Sequence, residues 1–300
     1  MERFKQSIFK INKDMKYSAL LGNPVEHSIS PYLFGILTNG IKDGYAHVKI
    51  LTKNEKRLAK YIDDLGELGF SGINITLPYK VTAIKLVDKL DDTVKKIGAL
   101  NTIVYRGGKK IGYNTDAAGA MRAMELKLRG ILPRDFVLVI GAGGAARAVV
   151  YEIYKKSKNI LIVNRDLEQA EKLSDDISSK DKKIIYVKLN DNNLIKYISK
   201  ADFIINTTPV GMYPDNDGEI VAQKIYNKLG SLKNKYFFDA IFNPYETKFL
   251  SNAKQSGATV CSGLYMMIFQ AVEALKLWIG EDYSKIDADE IAGELRKYCK

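Results

Sequence analysis

The stretch Phe136-Val-Leu-Val-Ile140-Gly141-Ala142-Gly143-Gly144-Ala145-Ala146-Arg147 decides the fold. Its apolar, β-branched opening reads as a buried strand, a glycine-rich turn follows, and a helical pattern then runs from Ala145 to Tyr154. The spacing is Gly141-x-Gly143-x-x-Ala146. The first glycine permits the turn, the second lets main chain approach a pyrophosphate, and the small residue at 146 lets helix pack closely on strand. The helix N-terminus then presents amide donors and partial positive charge to phosphate oxygens. A glycine-rich turn alone is a weak signal, but strand, turn and helix in this order point to a dinucleotide. Gly141, Ala142, Gly143, Gly144 and Ala145 are the candidate residues on the phosphate side.

The next strand, Ile160 to Val163, ends at Asn164-Arg165-Asp166, where such a unit reads the adenosine ribose. The guanidinium fork of Arg165 suits a 2′-phosphate. Asp166 pulls the other way, because a carboxylate repels phosphate and accepts from a free ribose hydroxyl. NADP is therefore the expected cofactor, with NAD the alternative. Further buried-strand runs follow at Ile184 to Val187, Phe203 to Ile205 and Tyr236 to Phe238. Helical patterns separate most of them, which predicts a mainly parallel sheet covered on both faces.

Upstream, Tyr17 to Leu21 reads as a strand that leads into Gly22-Asn23-Pro24. Ser30-Pro31 opens a helix, with Ser30 as N-cap and the proline at the first helical position. Strands are expected at Tyr45 to Ile50 and Phe70 to Ile75, with a charged helix from about Asn54 between them. Leu100 to Tyr105 and Lys110 to Tyr113 flank Gly107-Gly108 as a hairpin. The stretch Leu264 to Trp278 is strongly apolar, and a polar segment and a last helical pattern follow it. The fold class is α/β, with two α/β domains joined near residue 115 and a Rossmann-type dinucleotide domain second.

Composition bounds the partners. A length of 300 residues suits two domains, and 46% hydrophobic with 27% charged residues is ordinary for a soluble globular protein. No run approaches the roughly 18 apolar residues of a membrane span. The first fifteen residues show no secretory pattern, so a cytoplasmic location is expected. Cys261, Cys299, His27 and His47 are too few for a disulfide framework or a cysteine–histidine zinc site, so no metal is expected. The net charge of +11 comes from lysines interleaved with acids, as in Lys180-Asp181-Lys182-Lys183, not from a basic tail or module. That pattern argues against nucleic acid and suits small anionic ligands.

Three polar clusters fall at first-half strand ends, where an open α/β sheet builds its site. They are Ser28-Ile29-Ser30, the run Asn74 to Lys80, and Asn101-Thr102 leading to Asn114-Thr115-Asp116. Their hydroxyls, amides, amine and carboxylate suit a small polyhydroxylated acid, and Lys80 with Asp116 is a candidate proton-transfer pair. Singly, each has a plain reading: Ser30 as a helix cap, Asn74 as a turn residue, Lys80 as a surface lysine.

Taken in order, these segments resemble the shikimate dehydrogenase family over about residues 17 to 280. Gly22 to Pro31 resembles its carboxylate-binding motif, and Asn74 to Lys80 its Asn-x-Thr-x-Pro-x-Lys segment. Gly98-Ala-Leu-Asn-Thr102, Asn114-Thr-Asp116, Gly141 to Arg147, Asn206 to Met212, Gly263 and Gln270 continue the match. The resemblance implies NADPH-linked reduction of 3-dehydroshikimate to shikimate, a step toward the aromatic amino acids. It implies Lys80 and Asp116 as the catalytic pair, with Ser28, Ser30, Thr76, Asn101 and Gln270 also holding the substrate. Thr207 and Gly263 join the cofactor side with Asn164, Arg165 and Asp166. A cleft is implied between a substrate domain, residues 1–115 plus 265–300, and a dinucleotide domain, residues 116–264. The C-terminal helices would return to the first domain, and the protein would act as a monomer or homodimer.

Several positions depart from the family pattern. Phe34-Gly35 replace His-Asn, which affects helix packing more than chemistry. Phe242 replaces a tyrosine near the substrate carboxylate. Asp166 replaces a threonine, and Gln169 replaces a cation. The last two keep an NAD-using quinate/shikimate dehydrogenase open as the alternative. A dinucleotide-binding regulatory protein without catalysis is a further one, which the presence of both Lys80 and Asp116 disfavours.

Overall fold

The computed structural model describes residues 14–280, 282–283 and 285–299, so residues 1–13 of the basic segment before Tyr17 lie outside it. The first six strands are β1 (Lys16–Gly22), β2 (Tyr45–Leu51), β3 (Gly72–Ile75), β4 (Lys89–Leu90), β5 (Thr102–Arg106) and β6 (Lys109–Tyr113). They form one sheet in the order β2-β1-β3-β5-β6-β4. The remaining strands are β7 (Val137–Ile140), β8 (Ile160–Asn164), β9 (Ile185–Lys188), β10 (Phe203–Asn206), β11 (Tyr236–Asp239) and β12 (Thr259–Cys261). Their order is β12-β11-β10-β7-β8-β9, parallel throughout.

Because β7 lies between β8 and β10, the winding reverses beside it. A crevice therefore opens past its C-terminal end, directly over the glycine turn. All four β7 residues are buried, as a strand sandwiched between two helical layers requires. The first sheet is mixed. β1 runs parallel to β2 and β3, whereas β5 is antiparallel to both β3 and its hairpin partner β6.

One local expectation needs correction. Ser30 does not cap the helix Ser30–Leu37: Ile29 occupies the N-cap and no side chain closes the turn. The Ser30 hydroxyl instead accepts from Ser28 Oγ at 3.1 Å, which keeps both hydroxyls together. Asn54 does cap the helix Glu55–Glu67, accepting from the Arg57 N–H at 3.0 Å. Phe34 packs as anticipated, buried and stacked on His47 at 4.0 Å.

The apolar stretch forms the helix Gly263–Ile279, which packs on the helix Asp116–Lys127. At its end Trp278 donates from Nε1 to Ile103 O in β5 at 3.0 Å, and Arg106 donates to Leu277 O at 3.2 Å. The C-terminal helix thus leaves the second sheet and docks on the first. Arg147, in the helix Gly144–Lys156 that follows the glycine turn, ties the two halves from the other side. Its Nε donates to Ile97 O at 2.5 Å in the first half, while its guanidinium pairs with Asp176 in the second.

Candidate active site

Lys80 sits on the turn after β3, and main-chain bonds fix that turn. Leu100 N–H donates to Lys80 O at 2.8 Å, and Tyr79 N–H to Thr76 O at 3.0 Å. The Tyr79 hydroxyl anchors it further, donating to Thr52 O at 2.7 Å. From there Lys80 Nζ reaches Asp116 Oδ2 at 2.6 Å. Asp116 opens the helix Asp116–Lys127, where the helix dipole favours a negative charge. Its other oxygen accepts from Asn101 Nδ2 at 2.9 Å. Asn101 is itself held, accepting from Thr115 N–H at 2.7 Å while Asn74 Nδ2 donates to its carbonyl at 3.2 Å.

The side chains of the pair are 15% and 7% exposed. Lys80 is thus a mostly desolvated cation whose carboxylate partner is satisfied on both oxygens. In such surroundings a charge-assisted hydrogen bond is stronger than in water and holds its geometry.

A cavity of about 620 Å³ lies between the two sheets. Ser28, Ser30, Thr76, Lys80, Asn101, Asp116 and Gln270 line one side. Gly141 to Ala145 line the facing side, with Thr207 and Gly263 flanking them and Asn164 and Arg165 further along. The sequence-distant polar clusters therefore converge on one space. Asp166 is the exception among the expected ligands, because it does not line the cavity. Its Oδ1 accepts from Gln169 N–H at 3.1 Å and caps the helix Leu167–Ile177.

The glycine turn fits a dinucleotide on the structure's own terms. Gly141 has φ +110°, and a Cβ there would lie 2.5 Å from Thr207 Oγ1. The helix Gly144–Lys156 starts after Gly143 with no side-chain cap, so no side chain competes for its first turn. Lys80 packs against Gly144, where a Cβ would lie 3.0 Å from its own. The glycine turn thus adjoins the Lys80 stem.

Sequence reasoning left several lining residues unassigned. Asn74 lines the cavity and orients Asn101; its place in the Asn-x-Thr segment was the available signal. Leu189, Asn190 and Asp191 line the far end beside Arg165 because they follow β9, the neighbour of β8. Their only sequence signal was a position after a strand's C-terminal end. Phe242 is in the lining too and brings no hydroxyl. Among the described residues, no group of three or more His, Cys, Asp or Glu is placed to hold a metal ion, and no helix is long and apolar enough to cross a membrane.

A doubly wound dinucleotide sheet that faces a lysine–aspartate pair across a shared cavity defines a two-domain nicotinamide-dependent oxidoreductase. Comparison with known proteins narrows that class. Residues 20–103 match the shikimate dehydrogenase substrate binding domain, and residues 126–235 match the shikimate / quinate 5-dehydrogenase family. A shikimate dehydrogenase (NADP+) of Methanococcus maripaludis is 40% identical, over 90% of this chain and 94% of its own. A shikimate dehydrogenase crystallised with NADP+ superposes with a TM-score of 0.84 at 34% identity, over 97% of this chain and 98% of that one. The quinate dehydrogenase of Corynebacterium glutamicum, solved with NAD, gives 0.80 at 27% identity, over 95% and 99%. The chain belongs to the shikimate dehydrogenase family.

Proposed function

We propose that the protein catalyses the reversible NADPH-dependent reduction of 3-dehydroshikimate to shikimate in aromatic amino-acid biosynthesis. The observation that carries this reading is the 2.6 Å Lys80–Asp116 pair, which faces the same cavity as the two paired serines and the glycine turn. NADPH, when bound, supplies the hydride. The residues of the chain do the rest.

Reduction of a ketone places negative charge on its oxygen. The Lys80 ammonium stabilises that charge and delivers a proton from Nζ to the new alkoxide. Asp116 keeps the ammonium aimed, and Asn101 holds the second Asp116 oxygen so that the carboxylate cannot rotate away. Ser28 and Ser30 hold the substrate carboxylate, while Thr76, Asn101 and Gln270 take the ring hydroxyls. Gly141 to Ala145 with Thr207 hold the pyrophosphate, Gly263 borders the nicotinamide, and Asn164 and Arg165 hold the adenosine end. Residues 1–115 with 265–300 act as the substrate domain and 116–264 as the cofactor domain. The protein works in the cytoplasm as a monomer or homodimer, without a nucleic-acid partner.

Asp166 and Gln169 favour NAD with quinate or shikimate. The use of Asp166 as a helix cap outside the cavity lowers its weight. Likeness is also greater to the shikimate dehydrogenase crystallised with NADP+ than to the NAD-bound quinate dehydrogenase. The decisive variant is Lys80→Ala in a steady-state assay with 3-dehydroshikimate. Loss of the proton donor and oxyanion partner lowers kcat by about 10²- to 10⁴-fold with a much smaller change in KM. A kcat equal to that of the wild type would remove Lys80 from the chemistry.

A further inference from the structure

Asp166 and Gln169, at the adenosine end of the cavity, depart from the family pattern, and the structure shows what they do. Gln169 lines the rim and is exposed; Asn164 Nδ2 donates to its Oε1 at 3.0 Å, and its main-chain N–H donates to Asp166 Oδ1 at 3.1 Å. Neither Gln169 nor Asp166 brings positive charge to the rim. Arg165 alone would then face a 2′-phosphate, and the neighbouring Asp166 carboxylate offsets its charge. A phosphate monoester carries about −1.5 to −2 at neutral pH, so one offset cation is a poor match.

A second cation lies beside it, from a different strand. Lys188 ends β9, in register with Asn164 at the end of β8. Its Nζ donates to Arg165 O at 2.5 Å. Its main chain is tied down: Asn193 Nδ2 donates to Lys188 O at 2.7 Å, and the next residue, Leu189, donates to Asn164 O at 2.9 Å. Leu189 and Asn190, which follow it, line the cavity; Lys188 itself stands just outside that lining and meets the rim through Arg165. Among the described residues no carboxylate pairs with Arg165 or Lys188. Asp191, the next acid along the chain, is held by Lys224 at 2.6 Å. The backbone is anchored while the ammonium is exposed, bonded only to a carbonyl.

We propose that Lys188 is a specificity-determining residue for the cofactor. It joins Arg165 in taking the 2′-phosphate and supplies from β9 the charge that Gln169 does not. With Asp166 adjacent in the chain to Arg165, Lys188 adds a second positive charge at this rim toward a doubly charged group. The inference rests on the NADP reading above. A lysine that merely tethered the β8 exit would instead support every dinucleotide equally.

The test uses the full chain and two fragments, adenosine 2′,5′-bisphosphate and 5′-AMP, with binding measured by calorimetry. Lys188→Gln should weaken the bisphosphate about tenfold and leave 5′-AMP within about twofold, as loss of one charge-assisted contact implies. Lys188→Arg should restore most of the preference, and the salt dependence of bisphosphate binding should flatten in Lys188→Gln. In turnover, KM for NADPH should rise with kcat and KM for NADH unchanged. Equal weakening of both fragments would make Lys188 a tether and overturn the proposal. So would an unchanged preference in Lys188→Gln while Arg165→Ala loses it. A wild-type chain that binds both fragments equally would sink the NADP reading itself, and this proposal with it.

Discussion

Asp239, at the end of β11, shows how far a single buried group can bias the molecule. It is fully buried and accepts from Asn206 Nδ2 and the Ile241 N–H, each at 3.0 Å, and from Thr247 Oγ1 at 2.6 Å. Burial pushes its carboxyl up to about 7, although those three donors pull the other way. An unfolded aspartate loses its proton near pH 4. Between about pH 4 and 7 the folded state therefore holds a proton that the unfolded state has released. The stabilisation is complete below the lower value and disappears as pH rises through the upper one. Asp239→Asn keeps the neutral hydrogen-bonding shape and cannot titrate. Urea unfolding should show the wild type losing on the order of 2–4 kcal/mol relative to this variant between pH 4 and 7.5. A constant difference across that range would show that Asp239 does not titrate there. At this scale the sequence was readable where chemistry dictates residue type, as for Lys80, Asp116 and the glycines. It was ambiguous where one residue serves two purposes. Ser30 and Asp166 are both good caps and good ligands, and only their surroundings decide. Ser30 turned out to face the cavity, and Asp166 turned out to cap.

The elements that carry the site depend on close approach, and the helix Gly263–Ile279 gives the sharpest case. Its first residue presses on the loop after β11: a Cβ on Gly263 would sit 2.4 Å from Ala240 O and 2.6 Å from Ile241 O. Both obstacles are main chain, so the helix itself would have to shift. That helix carries Gln270 into the cavity and covers Asp116–Lys127. Gly263→Ala should cost about 2–3 kcal/mol of stability by overpacking. It should also raise KM for substrate, because Gln270 moves with the helix. Wild-type stability in chemical denaturation would mean that the loop yields instead. Element legibility followed burial. β7, β8, β10 and β11 are short runs buried on both faces, so their apolar character survives in the sequence. β12, with one buried residue in three, and the two-residue β4 left no comparable trace. Both are sheet edges whose pairing comes from neighbours and not from pattern. The antiparallel insertion of β5 beside β3 was hidden for the same reason, since a hairpin does not announce its outer partner.

For the molecule as a whole, the cleft works only if its two halves are joined firmly at one place and weakly at another. Arg147 supplies the firm joint. It is buried, donates to Ile97 O across the domain boundary and pairs with Asp176 on its own side. At another point the loop that carries Ser28 meets the second half through His27, whose ring lies edge-on to Tyr213 at 4.6 Å. A ring contact of this kind is worth about 0.5–1.5 kcal/mol, whereas each hydrogen bond to a charged group is worth about 1.5–3. Relative motion of the halves should therefore break the aromatic contact and pivot about Arg147. The same logic applies to the helix Gly263–Ile279, which Trp278 and Arg106 fasten to β5 with hydrogen bonds, not merely with apolar contact. Two variants separate the joints. Arg147→Ala strands the Ile97 carbonyl and leaves Asp176 with Lys172 alone, 3.6 Å away, and should lower stability by about 2–4 kcal/mol in urea unfolding. Tyr213→Ala removes the aromatic rim contact and should cost less than Arg147→Ala does. If Tyr213→Ala proves the more damaging of the two, the firm joint lies at the ring contact and the halves must pivot about it instead.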